Sequence, residues 1–426
     1  MMSDALVKAV NDLKPSLTDL FARIADETGD EHGISRASYS EAETAAADSL
    51  IAYAQDHGLD AGYDRVGNAT FTAPGRFEAD PEILIGSHVD SVPRGGNYDG
   101  LAGVVAGIGT LVALKHCGST MQQGVRVLGF RGEESPWFGT AYLGSKLFAG
   151  QLSVSETEGM RRSDTGKTLT EHLGEIGVGR SQIDSKPAVG LDRVRAYLEL
   201  HIEQGPVLVD LARPVAIATA IRGNIRYPFA KCYGSYAHSA AVPRRLRADA
   251  MIATAKLITH ADALWRRELE AGHDDLVFTC GICHTDSAEH SMTKVPGETS
   301  FSLNIGSISD DVMDRMHQGL LDKVQALSEE HHVRFDLGER VGTGAVALDA
   351  AVNEGIASSS RAMDIEPHRM ATVGHDAAIF ARIGIPAGII LIRNAKGSHN
   401  REEEMEMDDF MDGLKVLTSS VHAMTA

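Results

Sequence analysis

The sequence predicts an α/β protein of two domains, one of which is inserted into the other. At 426 residues, the chain is longer than a single hydrophobic core usually supports. Short apolar runs alternate with helical patterns at both ends of the chain, whereas the middle shows a different order of elements. We therefore expect residues 1–215 and 344–426 to form one discontinuous domain and residues 216–343 to form the inserted domain.

Hydrophobic periodicity predicts helices at the start of the chain and a sheet after them. Apolar residues recur at helical spacing over residues 5–28 and 40–57, and Ser40-x-x-Glu43 begins the second helix as a capping box. The elements predicted next are strands at 64–73, 82–86, 125–131 and 195–200, and a helix at 100–115. After residue 344 they are helices at 350–363 and 376–383, a strand at 387–392 and a helix from Asp408. Strands that alternate with helices are typical of a parallel sheet.

The inserted region has its own pattern, in which strands and helices follow the order β-α-β-β-α-β. The predicted elements are strands at 225–233, 276–283, 299–305 and 333–340, with helices at 248–270 and 310–331. This order is that of the ferredoxin-like split βαβ unit. We expect this domain to act as a lid or as a dimerisation domain.

Composition limits the classes of partner. The net charge of −19 argues against nucleic acid and against anionic membranes, which attract basic surfaces. The longest weakly polar run, at 101–114, is too short to cross a bilayer. The N-terminus lacks the basic and apolar segments of a signal peptide, so we expect a cytoplasmic protein.

Acidic and imidazole side chains follow two of the predicted buried strands. His88 and Asp90 come after the strand at 82–86, and Asp99 follows in a glycine-rich loop. Glu133 and Glu134 come after the strand at 125–131. Adjacent residues of an extended chain point in opposite directions, so one glutamate can bind metal while the other acts as a general base.

Two more imidazoles are placed in the same way. His201 ends the strand at 195–200, and His399 follows the strand at 387–392 through a short turn. Ligands of open α/β sheets bind beyond the carboxyl ends of the strands. Three histidines and several acids at these ends are enough for a site that holds two metal ions.

These segments resemble the M20-type metallohydrolases, and within them the hydantoinase/carbamoylase branch, which includes N-carbamoyl-L-amino acid hydrolases and allantoate amidohydrolases. The resemblance spans nearly the whole chain in order, and the HIEQGP segment is particularly specific to this branch. The matching segments are GSHVDSVP at 86–93, GGNYDG at 95–100, RGEE at 131–134, HIEQGP at 201–206, 234–243 with His238, GHDA at 374–377 and GSHN at 397–400.

The resemblance implies a zinc-peptidase-like catalytic domain, a homodimer formed through the inserted domain, and a role for each matching residue. The implied metal ligands are His88, Asp99, Glu134, His201 and His399, with Asp99 bridging. Glu133 is implied as the general base and Asp90 as the carboxylate behind His88. Gln204 and His238 are implied to contact the substrate, with His238 reaching across from the inserted domain.

The chain departs from the family where amide-cleaving relatives carry an Asp-x-Arg pair whose arginine binds the substrate carboxylate. Asn304 and Gly306 stand at these positions, and glycine cannot replace a bidentate arginine. Either another cation binds the substrate or the substrate is not a carbamoyl amino acid. The candidate cations are Arg222, Arg226 and Lys294. Arg222, Asn224 and His375 complete the predicted substrate-binding residues.

The main prediction is a metal-dependent hydrolase that cleaves a non-peptide C–N bond, with a carbamoyl or ureido group in a small molecule as its target. One or two divalent ions are expected, and the mixed nitrogen and oxygen ligands suit Zn, Mn, Co or Ni alike. Three alternatives remain open: a deaminase of a substituted aromatic acid, an aminoacylase or dipeptidase, and a non-catalytic binding protein with the same fold.

Overall fold

The structure is a computed structural model that describes residues 4–74, 81–118, 123–184 and 186–425. The chain divides into two compact units, Met1–Thr219 with Leu348–Ala426, and Ala220–Ala347. Each unit has its own buried hydrophobic cluster. The mixed α/β class predicted from the sequence is confirmed.

The first stretch of the chain contains many short helices as well as the strands of the main sheet. The helices are α1 Asp4–Asp12, α2 Lys14–Thr28, α3 Glu41–Asp56, α4 Leu101–His116, α5 Ser135–Phe138, α6 Leu143–Phe148, α7 Val154–Gly159, α8 Leu169–Glu175 and α9 Val207–Asp210. The strands are β1 Gly29–Asp30, β2 Gly33–Ile34, β3 Asp60–Tyr63, β4 Ala69–Thr72, β5 Glu82–His88, β6 Gly124–Phe130, β7 Val194–Ile202 and β8 Val215–Ile221.

Two predicted elements of this stretch are each divided in the structure. The helix predicted over 5–28 breaks at Leu13, because Pro15 has no N–H with which to continue α1 and instead occupies the first turn of α2. The strand predicted over 64–73 forms only as β4, Ala69–Thr72. Asp64 accepts hydrogen bonds from the amides of Val66 and Asn68, which makes a turn between β3 and β4.

The inserted unit contains a six-stranded antiparallel sheet, a separate two-stranded antiparallel pair and two long helices. Its elements are β9 Gly223–Tyr233, β10 Ala237–His238, α10 Ala250–Glu270, β11 Val277–Thr279, β12 Cys283–Thr285, β13 Lys294–Val295, β14 Glu298–Ser307, α11 Asp310–His331, β15 Arg334–Asp336, β16 Val341–Thr343 and β17 Val346–Ala347. The sheet order is β11–β14–β9–β15, with β12 beside β14 and β16 beside β9. The strand predicted over 276–283 is therefore two strands, because residues 280–282 stand opposite only residues 302 and 303 of β14, which interrupts the pairing.

The last stretch returns to the first unit. It contains α12 Ala350–Arg361, β18 His368–Thr372, α13 Ala377–Arg382, β19 Ala387–Ile392 and α14 Met407–Thr425. The main sheet has the order β8–β19–β7–β5–β6–β4–β3, and its four central strands, β19, β7, β5 and β6, run parallel. Helix α4 is buried on nearly every side, which explains why its sequence is small and apolar throughout.

A satellite cluster follows the two glutamates, where the sequence suggested no element. Trp137, Phe138, Leu143, Leu169 and Leu173 are buried together with residues of the α3 entry loop. The helices α5–α8 are short, so each offers too few turns for a helical period to show in the sequence. This cluster supports the loop that carries Glu133 and Glu134.

Candidate active site

The candidate site lies where the four central strands end. Strands β5, β6, β7 and β19 run parallel, so their carboxyl ends lie along one edge of the sheet. The sequence places its polar motifs directly after these ends. The structure therefore brings together all seven residues predicted as ligands or catalytic groups: His88, Asp90, Asp99, Glu133, Glu134, His201 and His399.

One group of possible ligands consists of His88, Asp99 and His201, all of them buried. Oδ1 of Asp99 lies 3.6 Å from Nε2 of His88 and 3.2 Å from Nε2 of His201, and these two nitrogens are 3.4 Å apart. Each imidazole has a backbone carbonyl at Nδ1, that of Asp90 at 3.1 Å and that of Ile202 at 2.9 Å. Because a carbonyl only accepts, Nδ1 carries the proton and Nε2 keeps its lone pair for a ligand bond.

A second group consists of Asp99, Glu134 and His399. Nε2 of His399 lies 3.4 Å from Oδ2 of Asp99 and 3.5 Å from Oε1 of Glu134. Asp99 thus faces the first group with one oxygen and the second group with the other. Its Oδ1 is buried and has no hydrogen-bond partner among the described residues.

The chemistry of these donors fits divalent metal. Burial, with the charge of Asp99, raises the pKa of Glu134 to about 9. Buried carboxylates and imidazole lone pairs that face one another repel. Their arrangement is therefore costly unless a cation lies between them. A mixed set of imidazoles and carboxylates is the usual shell of zinc and similar ions.

Asp90 connects the histidine to the glutamate pair. It is fully buried, and its Oδ1 lies 3.4 Å from Nδ1 of His88. The same carboxylate accepts hydrogen bonds from the amides of Glu133 at 3.0 Å and Glu134 at 3.1 Å, and from Oγ of Ser38 at 2.7 Å. One side chain therefore orients both the imidazole and the loop that carries Glu133 and Glu134.

Glu133 lies within reach of both the imidazole and its neighbouring carboxylate. Ligand atoms of His88, Glu133 and Glu134 come within 4.8 Å of one another. Burial raises the pKa of Glu133 well above its usual value, and the charges of Glu134 and Asp376 add to that shift while His88 opposes it. A carboxylate whose affinity for protons is raised is suited to accept and return a proton.

Two predicted substrate contacts lie in the same unit as these ligands. Gln204 has a positive φ of 65°, and its Nε2 donates to Oδ2 of Asp99 at 3.0 Å. His375 is buried, its ring centroid is 4.4 Å from that of His201, and it lies 2.8 Å from Oγ1 of Thr372. Burial lowers the pKa of His375 well below its usual value, which keeps the ring neutral.

The other predicted substrate contacts belong to the inserted unit. His238 is exposed on β10, and the amide of Ala240 donates to its Nδ1 at 3.2 Å. Nε of Arg222 donates to the carbonyl of Asp275, while Asn224 lies at a β9 position paired with Gly306 of β14.

Asn304 has a basic neighbour across the sheet of the inserted unit. Its Oδ1 accepts a hydrogen bond of 2.9 Å from Nε of Arg226, which is exposed on β9. The guanidinium of Arg226 therefore lies beside position 304, where the family resemblance implies an aspartate.

Two further acids at the site are buried. Glu403 contacts the Asp99 loop. Asp376 precedes helix α13 but makes no cap hydrogen bond, and its carboxylate instead accepts from Oγ of Ser145 at 2.5 Å. Both partners are distant in sequence, so no local pattern could identify them.

The family of the chain follows from this geometry together with sequence comparison. The family Peptidase M20/M25/M40 matches residues 84–423. The chain belongs to this family.

Curated relatives and solved structures are similar over nearly the full length. N-carbamoyl-L-amino acid amidohydrolase from Geobacillus stearothermophilus is 28% identical over 91% of this chain and 93% of its own length. Allantoate amidohydrolase from Bacillus subtilis is 27% identical over 97% and 98%. An amidase of the hydantoinase/carbamoylase family from Burkholderia phymatum is 26% identical, covers 97% of both chains and superposes with a TM-score of 0.83. The predicted family and enzyme class, an amidohydrolase of non-peptide C–N bonds, are confirmed.

Among the described residues, no helix combines the length and the apolar character needed to cross a membrane. The first three residues, which enter the prediction about a signal peptide, lie outside the described part of the chain.

Proposed function

We propose that this chain uses divalent metal to hydrolyse a carbamoyl or ureido C–N bond of a small molecule. The observation that carries the proposal is the position of Asp99, which faces His88 and His201 with one oxygen and His399 with the other. The names of the relatives, which include N-carbamoyl-L-amino acid and allantoate amidohydrolases, support this class of bond. The same site would hold one ion with the first group of ligands and one with the second.

Different residues of the chain carry out different steps of the hydrolysis. When bound, divalent ions polarise the substrate oxygen and increase the acidity of water. Glu133 takes a proton from the attacking water as the new C–O bond forms. It returns that proton to the leaving nitrogen as the C–N bond breaks. Asp90 keeps His88 and the backbone of Glu133 in place during both transfers.

Five further residues are proposed to contact the substrate. Gln204 is held beside Asp99, where its amide can meet a substrate group next to the metal ligands. His238 supplies a donor that can stabilise the developing oxyanion. His375, Arg222 and Asn224 complete the substrate-binding set. The inserted unit acts as a lid or as the surface of a homodimer, and the cytoplasmic location stays a prediction.

One observation favours a second candidate, a deaminase of a substituted aromatic acid. Asn304 and Gly306 replace the expected Asp-x-Arg pair, so the usual partner for an amino acid carboxylate is absent from these positions. The two candidates release different products. Cleavage of a carbamoyl group yields both ammonia and CO2, whereas deamination yields ammonia alone.

The test is a screen of carbamoyl, ureido, acyl and aromatic amine compounds with metal-reconstituted protein, in which ammonia and CO2 are measured separately. We expect both products from a carbamoyl or ureido compound. Release of ammonia without CO2 would support the deaminase, and turnover of acyl compounds alone would contradict both.

A Glu133→Gln variant tests the assigned base. The amide cannot accept the proton, so kcat should fall by about 10²–10⁴-fold. Metal content, measured by elemental analysis, should stay at the wild-type value because Glu133 is not a proposed ligand. Turnover at the wild-type rate would rule out this role for Glu133.

A further inference from the structure

Glu403 lies in the run EEEME at residues 402–406, immediately after the motif that contains His399. Its neighbours Glu402 and Glu404 are exposed, whereas Glu403 is only 6% exposed. Burial of an acidic side chain is costly unless hydrogen bonds compensate for lost water. The contacts of this carboxylate therefore show which groups stabilise it in the interior.

Both oxygens of Glu403 are directed at Asp99 and its surroundings. Oε1 accepts hydrogen bonds from the amides of Tyr98 at 2.8 Å and Asp99 at 3.2 Å. Oε2 lies 2.8 Å from Oγ of Ser398, and the same hydroxyl is in close contact with Oδ2 of Asp99. Glu403 thus holds the backbone of Asp99 directly and meets its side chain through Ser398.

The Asp99 loop leaves space for this carboxylate. A Cβ atom added at Gly96 would lie 2.3 Å from Oε1 of Glu403 and 2.4 Å from its Cδ. Any other residue at this position would displace the glutamate. The glycine-rich segment before Asp99 is therefore shaped around Glu403, which lies about 300 residues away in the sequence.

The hydroxyl of Ser398 has one hydrogen and two carboxylates beside it. If Ser398 donates to Asp99, it occupies a lone pair that a metal ion requires. If it donates to Glu403, Oδ2 of Asp99 keeps that lone pair. A charged glutamate competes for the hydrogen, whereas a neutral amide at the same place would donate to Ser398 and direct its hydrogen toward Asp99.

We propose that Glu403 is a positioning residue that prepares Asp99 for metal, because it fixes the Asp99 backbone and draws the hydroxyl hydrogen of Ser398 away from the ligand oxygen. This inference rests on the proposed metal site. It assigns Glu403 no contact with the substrate. The role differs from simple support of the loop, because it depends on the charge of Glu403 as well as on its shape.

A Glu403→Gln variant separates these two roles. The amide oxygen can still accept from both backbone amides, so the loop keeps its support, but the amide nitrogen reverses the hydrogen bond to Ser398. We expect Zn²⁺, titrated into metal-free protein by calorimetry, to bind about 10–100-fold more weakly, which is typical for loss of a group behind a metal ligand. The Tm of the metal-free variant should match that of the wild type.

Two further variants sharpen the comparison. Glu402→Gln makes the same chemical change at the exposed neighbour and should bind Zn²⁺ like the wild type. Ser398→Ala added to Glu403→Gln removes the competing donor and should restore part of the lost affinity. Such rescue is not expected if Glu403 only supports the loop.

The possible results have distinct meanings. Unchanged Zn²⁺ affinity in Glu403→Gln, with wild-type binding and turnover intact, would overturn the role of Glu403 alone. Lost affinity with a lower metal-free Tm and no rescue by Ser398→Ala would overturn it in favour of loop support. Failure of the wild type to bind Zn²⁺ would overturn the proposed metal site, and this inference with it.

Discussion

Single residues at the candidate site adopt backbone conformations that most side chains avoid. Gln204 and His399 have φ values of 65° and 58°, although neither is glycine. Such conformations cost about 1–3 kcal/mol each and persist only where surrounding contacts enforce them. Here the backbone N–H of Gln204 donates to Oδ1 of Asn394, and the side-chain Nδ2 of Asn394 donates to the backbone carbonyl of Gly397. The strain places both side chains beside Asp99.

Gly100 is the residue at which a single methyl group should disturb the site. Its φ is 70°, and a Cβ atom there would lie 2.4 Å from the ring of His88. Gly100→Ala should therefore displace the imidazole and weaken Zn²⁺ binding by about 10–100-fold. Calorimetric titration of the metal-free protein measures the change.

Gly139 provides the control for this prediction. It also has a positive φ, of 71°, but a Cβ atom there would meet nothing within 4 Å. Gly139→Ala should lower stability through backbone strain, by about 1–2 kcal/mol, and leave Zn²⁺ affinity unchanged. Equal metal affinities in the two variants would contradict the steric argument.

Among the elements, helix α4 and the parallel strands fix the ligands relative to one another. His88 and His201 lie near the ends of strands β5 and β7, which are neighbours in the sheet. Helix α4 packs on both strands and begins directly after Asp99 and Gly100. The helix thus anchors the Asp99 carboxylate to the strands that carry His88 and His201.

Helix α4 approaches the sheet closely at Gly103. A Cβ atom there would lie 2.1 Å from the carbonyl oxygen of Leu200 and 2.6 Å from Cβ of Ser87. Gly103→Ala should therefore force the helix away from the sheet and lower the free energy of unfolding by about 1–3 kcal/mol. The midpoint of urea unfolding reports this loss.

Gly109 on the same helix is the matched position. Its Cβ atom would meet side-chain methyl groups of Leu414 and Leu17 at 3.3 Å and 3.4 Å, which can move. The better helix propensity of alanine, worth about 1 kcal/mol, should offset this contact. If Gly103→Ala proves as stable as Gly109→Ala, α4 does not pack on the sheet as described.

At the scale of the whole molecule, metal should link function to stability. The proposed ligands come from four separate segments of the first unit, near residues 88–99, 134, 201 and 399. They converge only when the chain is folded, so an ion binds the native state and not the unfolded one. Binding should stabilise the protein by about 2.7 kcal/mol when free metal is 100 times its Kd.

Metal removal should therefore lower the Tm of the wild-type protein. Scanning calorimetry with and without a chelator measures the difference. An Asp99→Ala variant lacks the shared ligand, so its Tm should respond much less to the chelator. A wild-type Tm that is insensitive to chelation would contradict the proposed site.

The sequence alone determined the α/β class and the strand ends that carry the candidate ligands, whose residue types suit divalent metal. These follow from local patterns: short apolar runs form buried strands, and polar residues directly after parallel strands meet at one edge. The family resemblance added the division of roles between Glu133 and Glu134. The helices between residues 135 and 175 were not predicted, because each is too short for a helical spacing of apolar residues to be recognised in the sequence.

Only the tertiary structure decided which charged residues near the motifs are buried. Glu403 is one of several acids in a row, and nothing in the sequence distinguishes it from exposed Glu402. Its burial depends on the space left by Gly96 and on the amides of Tyr98 and Asp99, contributed by a distant loop. The local sequence specifies which chemical group a residue carries. The contacts that stabilise a buried charge form only when segments distant in the sequence pack together.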